Sequence, residues 1–347
     1  MGSRCTTCIA ANWIWRGAWA RSCCGSAARA MIPLGWCWVT APPDKSLLLA
    51  GGFADCRPHL EQLLALYDPV AHGTLVQQTG SHPLMTQAFL GLALFCLGFP
   101  DQAITRSLAC IADARKLAHP TSLAVSLAIG ALLLALSGDT ATLKKRADQL
   151  VAVATEQGLP FYHAWGAIFR GRAKVNDGDV MEGIALLRDG VAAYRATGAV
   201  MWLPHFIALL AGAHAAAGQV KEAVTLLDEA LRAGERTGER WFAAELNRQQ
   251  GQLLLRQGHA EDAEALYLKA LGIAREQEAK LWELRAATSL AGLREAQGRH
   301  AEAHDILAPA YRGFTEGFDM TDLKEAKALL DRIQTVATVR DALLATR

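Results

Sequence analysis

The side chains with the most chemical reach are crowded at one end of the chain. Cys5, Cys8, Cys23, Cys24 and Cys37 are five of its 8 cysteines, and Trp13, Trp15, Trp19, Trp36 and Trp38 are five of its 9 tryptophans, all before residue 39. Four thiolates complete a tetrahedral zinc shell, which makes Cys5-Thr-Thr-Cys8 with Cys23 and Cys24 a metal candidate. Adjacent Cys23 and Cys24 lack the two-residue knuckle that lets both sulfurs converge. A secretory signal fits poorly as well, because Asn12, Arg16 and Arg21 interrupt the apolar run. The first Glu is Glu61, and residues 1–60 hold six basic side chains against Asp44 and Asp55. Reading of GC-rich DNA in a wrong frame, or from a start too far upstream, yields such a composition. Residues 1–46 are therefore expected to be a disordered or mis-assigned leader, with a metal site and an unrecognised leader as alternatives.

Elsewhere, chemistry is sparse. His163, His205 and His214 could be imagined as an acid/base or metal cluster, but they sit among Tyr162, Trp165, Phe206 and Leu209 without an HExxH or CxxC frame. Packing or a solvated edge is the expectation for all three. Cys96 and Cys110 read as small apolar helix residues. The pairs Glu235 with Arg236 and Glu239 with Arg240 read as solvated helix-end charge. No GxxxxGK[ST] phosphate loop occurs. The residues thus assign no catalytic, cofactor or metal role, and the chain is expected not to be an enzyme.

Charge and composition narrow the class further. Lys plus Arg number 35 against 34 Asp plus Glu, which lacks the basic footprint of a nucleic-acid binder. Hydrophobic residues make up 52% and charged residues 20%, enough apolar matter for a large core. The richest apolar stretch, 122–137, runs straight into GDTATLKKR, so no membrane span is expected and the location is expected to be cytoplasmic.

The elements that must hold these residues announce themselves by a period. Gly98, Gly138, Gly178, Gly218, Gly258 and Gly298 recur every 40 residues, with Gly158, Gly198 and Gly238 halfway between. Glycine supplies the left-handed conformation that ends a helix, so the spacing predicts paired helices joined by tight turns. Around Gly258 stand Gly251, Ala263, Tyr267 and Ala270, small and large residues in the tetratricopeptide pattern. Six residues beyond that pattern's usual unit lengthen the helices by about 9 Å in all. Trp202, Trp241 and Trp282 fall near the start of the lengthened first helices, where a recurring Trp is expected to stack between neighbouring hairpins. The expected fold is an all-α tetratricopeptide-type solenoid of six to seven repeats over residues 47–335. A second helix over 53–67 should open it, a capping helix with Thr321 as N-cap and Asp322 in its first turn should close it, and 336–347 should form a tail.

Several phrases go further: HLEQLLALYDP (59–69), ATEQGLPFYHAWGAIFRGRA (154–173), ERTGERWFAAELNRQQGQLLL (235–255), LWELRAATSLAGL (281–293) and FTEGFDMTDLKEAKALLDRI (314–333). Over about residues 50–335 the chain resembles the C-terminal repeat region of large rhizobial-type signalling proteins, in which a class III adenylate or guanylate cyclase precedes a STAND-type ATPase. The resemblance implies a regulatory, protein-interaction context with the cyclase and ATPase domains as partners. It carries no catalysis over, since neither domain's motifs are present, and the chain reads as a detached or truncated tail. Adenylate cyclase by relationship and a small-ligand sensor are the alternatives.

Transferring the tetratricopeptide register to this sequence places Trp165, Arg172, Asn176, His205, Glu245, Arg248, Gln252, Arg256, Arg285 and Glu295 on a concave partner groove. Arg dominates that set, which suits carboxylates or acidic peptide segments through forked hydrogen bonds. Charged side chains on an open groove, Arg248 and Arg256 among them, are expected to contribute little to folding. The same register in the first two copies gives Met85, Leu92, Phe95, Val125 and Leu132, expected to pack on another domain or on a missing first helix.

Overall fold

The computed structural model describes residues 47–68, 83–117 and 119–345, and all regular structure among them is α-helical. The cysteine-rich leader and its zinc candidate lie outside the described residues. The first two helices among the described residues are α1 (Leu47–Ala50) and α2 (Phe53–Ala65). Six antiparallel pairs follow: α3 (Pro83–Cys96) with α4 (Pro100–Leu117), α5 (Pro120–Ser137) with α6 (Thr140–Glu156), and α7 (Pro160–Asn176) with α8 (Val180–Ala196). Then come α9 (Leu203–Ala216) with α10 (Val220–Thr237), α11 (Ala243–Arg256) with α12 (Ala260–Glu276), and α13 (Lys280–Ala296) with α14 (His300–Arg312). The closing helix α15 (Thr321–Ala345) runs past residue 335 into the expected tail.

The turns form as the glycine spacing predicts. At Gly258, φ is +88°, its N–H donates to the Leu255 carbonyl (3.0 Å), and the His259 N–H reaches back to Leu254 (3.0 Å). Among the described residues one turn position breaks the pattern. At 278 the same turn is made by Glu278 at φ 52°, an exposed residue in a conformation that costs an L side chain about 1–2 kcal/mol. Glu278→Gly should therefore raise the stability of the array by about 1 kcal/mol in urea melts. An unchanged or lower midpoint would show that the Glu side chain repays the strain.

Within each pair the helices approach closely where small residues allow it. A Cβ added at Gly251 would lie 2.8 Å from the Tyr267 ring and 3.2 Å from the Ala263 carbonyl. Between pairs, tryptophans pack on one another at edge-on or tilted angles. Ring centroids of Trp165 and Trp202 lie 5.7 Å apart, Trp202 and Trp241 5.1 Å, and Trp241 and Trp282 6.2 Å. Helix α5 is long and apolar enough to cross a membrane, contrary to the expectation from its sequence, and 72% of it is buried among α3, α4, α6 and α7.

The superhelix turns far enough for its last elements to meet its first. The Asp101 carboxylate accepts the Gly317 N–H (3.0 Å), and Glu316 accepts both the backbone N–H (3.1 Å) and the side-chain amide (3.0 Å) of Gln102. Lys280 donates to the Gly313 carbonyl (2.9 Å) and lies over the Phe99 ring (5.7 Å). Helix α1 enters the same closure, its Leu49 carbonyl accepting the N–H groups of Arg240 (2.7 Å) and Trp241 (3.0 Å). Closure corrects one expectation. Met85, Leu92, Phe95, Val125 and Leu132 are covered by this chain's own helices, all being buried within one core.

Candidate functional site: the inner face

The 40-residue register carries one inward-facing position through every first helix: Met85, Val125, Trp165, His205, Glu245 and Arg285. The side chains change from apolar to polar along the series, so the later half of the inner face gathers charge in an apolar setting. Glu245, 3% exposed, accepts Nε (2.7 Å) and Nη2 (2.6 Å) of Arg248 and the amide of Gln249 (3.0 Å). Arg285 grips Asp322 with Nε (2.8 Å) and Nη2 (2.9 Å), and Nη2 also donates to the Leu136 carbonyl (2.6 Å). Its guanidinium lies 5.3 Å over the Trp282 ring, with Nη1 3.9 Å from Glu245. Arg248 Nη1 reaches Ser289 (3.2 Å).

Burial and pairing set the protonation states. Burial alone would raise the Glu245 carboxyl, but Arg248 and Arg285 outweigh it and hold the group at about 2. Burial would lower Arg285, and Asp322 and Glu245 raise it instead. His205, 1% exposed, is pushed down to about 3 by burial and then by Arg172, so the ring is neutral. It packs edge-on against Phe242 (4.6 Å).

These contacts correct the expectation of an open groove. Trp165, His205 and Glu245 are buried, Arg172 is half-buried, and the Arg248 and Arg285 side chains are only 15% and 16% exposed. Arg248 is therefore a buried partner of Glu245, not a solvated arm. The rim is different. Asn176 bonds Thr140 (2.9 Å), Arg256 donates to the Ala215 carbonyl (3.1 Å), Glu295 pairs with Arg332 (3.2 Å), and Gln252 is exposed. Sequence reasoning missed Asp322 as a member of the cluster, placing it only as a first-turn acid. It also misplaced Glu239, which is 8% exposed and accepts the Trp202 N–H (2.9 Å) and the Trp241 indole N–H (2.7 Å). Burial raises that carboxyl to about 7 against these two hydrogen bonds.

The remaining candidates stay apart from this cluster. His163 is exposed, and His214 is buried against Gln219 at an open cleft of about 840 Å³ lined also by Arg188, Lys221 and Gln257. Burial raises both the Cys96 and the Cys110 thiol, Cys110 to about 11, so both stay protonated. Among the described residues, no three His, Cys, Asp or Glu side chains are placed to hold a metal ion.

No family model matches this sequence. An uncharacterized protein of Rhizobium meliloti (strain 1021) is 29% identical over 242 residues, which cover 68% of this chain and 23% of that protein. The chain thus spans about a quarter of that relative's length. Among solved structures, the apo form of RapI matches with a TM-score of 0.54 at 11% identity, covering 78% of this chain and 98% of its own. A Rap protein complexed with competence and sporulation factor matches at 0.53 and 13%, covering 94% of this chain and 100% of its own. The chain is a tetratricopeptide-like α-solenoid. At such identities the likeness speaks for the fold alone.

Proposed function

We propose that this solenoid is a non-catalytic interaction or sensor module of a larger bacterial signalling system. The observation that carries the reading is the inner face itself: one register position per repeat builds a line that turns from apolar to aromatic, His, acidic and basic side chains inside a superhelix whose early and late helices meet. That is a geometry for holding a partner segment or ligand. The Rhizobium relative, of which the 242 matched residues are 23%, supports a module that works attached to other domains. The solved Rap complex supports a solenoid of this shape that holds a factor. In this reading the partners are a protein or acidic peptide and the cyclase and ATPase domains of the resembling signalling proteins, in the cytoplasm. Incubating the purified chain with ATP or GTP and Mg²⁺ or Mn²⁺ should yield no cyclic nucleotide above a blank. Turnover that tracks the protein through purification would overturn the non-catalytic reading in favour of a cyclase.

A further inference from the structure

One cation of the second helices is buried without an anion. Arg146 of α6 is 8% exposed, yet it makes no hydrogen bond or ion pair among the described residues. Burial and the like charge of Arg115 both lower its pKa, and no carboxylate acts against them. Buried arginines ordinarily have such a partner, because a charge taken out of water loses its hydration and needs a replacement. The repeat itself does not ask for a charge here. The 40-residue register puts Leu186, Leu226, Leu266 and Ile306 at the same position of the later second helices, and Leu or Tyr at the position of Ser107.

Polar groups of two helices converge on the same place. Helices α4 and α6 both pack on α5, whose Gly130 brings no side chain to the seam. A Cβ added at Gly130 would lie 2.9 Å from Arg146 Nη1 and 3.0 Å from Ser107 Oγ. The guanidinium and the hydroxyl therefore meet over one bare stretch of backbone. Ser107 is 7% exposed, and its hydroxyl also lacks a partner among the described residues. Arg115, on the same face of α4 as Ser107, is exposed and donates to the neutral Gln149 amide oxygen of α6 (3.4 Å). Two guanidinium groups and a hydroxyl thus share the seam with no carboxylate among them.

We propose that this seam binds a phosphate group. A phosphate carries about −1.5 to −2 at neutral pH, which matches the two arginines, whereas a carboxylate would leave one of them unanswered. Its several oxygens accept from donors that arrive from different helices, Arg146 on one side and Ser107 and Arg115 on the other. The phosphate is either a free ion or one carried on a phosphorylated side chain. The inner-face cluster lies on first helices and α15, so this site is separate from the sensor reading and is tested separately.

Isothermal titration of the full chain at matched ionic strength tests this with inorganic phosphate, N-acetylphosphoserine amide and acetate. At least one phosphate probe should bind and acetate should not; tighter binding of the inorganic ion identifies a free anion, equal or tighter binding of the phosphoserine probe a phosphorylated side chain. Arg146→Leu, the residue type of the later repeats, should weaken the phosphate by about tenfold or more, the loss of one charge-assisted hydrogen bond, and keep cooperative melting. Arg115→Ala, at an exposed position, should weaken it without lowering the melting temperature. Phosphate should also raise the melting temperature of the wild type more than that of Arg146→Leu. Failure of both phosphate probes to bind, equal binding of acetate, unchanged phosphate affinity in Arg146→Leu or Arg115→Ala, or loss of cooperative melting in Arg146→Leu would each overturn the proposal.

Discussion

Arg285→Ala should lower the unfolding free energy by on the order of 3–5 kcal/mol, the range for breaking a buried ion pair from one side. Three groups lose their partner at once. Asp322 loses both of its hydrogen bonds from the guanidinium, the Leu136 carbonyl loses a donor at 2.6 Å, and Glu245 loses the second cation that holds it ionised. The three lie on α15, α5 and α11, so the single side chain ties the closing helix to an early repeat and to the charged inner face. Arg285→Lys keeps the charge but has no fork to span Asp322 and Leu136 together, and should recover less than half of the loss. Arg332→Ala, in an exposed pair with Glu295, should change stability by no more than about 0.5 kcal/mol. Urea melts of the three variants decide the matter, and a loss below about 1 kcal/mol in Arg285→Ala would mean that closure does not depend on this cluster.

The same side chain shows where the sequence was legible. A position that returns every 40 residues is a local property of the repeat, so the inward placement of Trp165, His205, Glu245 and Arg285 followed from the tetratricopeptide register that the resemblance implies, and the packing of Trp202, Trp241 and Trp282 on one another from their spacing. Burial of those positions did not. It depends on the superhelix closing, and closure accumulates from small rotations over six pairs, leaving no mark at Asp101 or at Gly317, 216 residues apart. An Arg on an open groove and an Arg inside a closed one have the same sequence, so Arg248 was expected to matter little and instead satisfies a buried carboxylate. Glu239 illustrates the same gap on a smaller scale. Beside Arg240 at a helix end it looks solvated, but its partner is the N–H of Trp202, 37 residues earlier, where an L residue is held at φ 68°.

That buried carboxylate sets the last expected result, because it opposes His205 in the response to acid. His205 has a folded pKa of about 3, below its ordinary 6.5, so below pH 6.5 the unfolded chain takes up a proton that the fold refuses, and stability falls as pH drops toward 3. Glu239 has a folded pKa of about 7, above its ordinary 4.5, so the fold keeps a proton that the unfolded chain releases, and stability falls as pH rises from 4.5 to 7. Between pH 4.5 and 6.5 each slope is about 1.4 kcal/mol per pH unit with opposite sign, and the wild type should be nearly flat. Below pH 4.5 the Glu239 slope ends, while Glu245, held at about 2, begins to add to that of His205. Stability should then drop by about 2.7 kcal/mol per pH unit, two protons' worth. Glu239→Gln removes one of the opposed slopes. Its stability should climb with pH between 4.5 and 6.5, and at pH 8 it should exceed the wild type by about 1–2 kcal/mol, the relief of a buried charge less the cost of one imperfect acceptor for the Trp202 and Trp241 N–H groups. Urea melts at pH 4, 5, 6 and 8 would show this; a variant profile parallel to that of the wild type would mean that Glu239 titrates in the fold as it does in water.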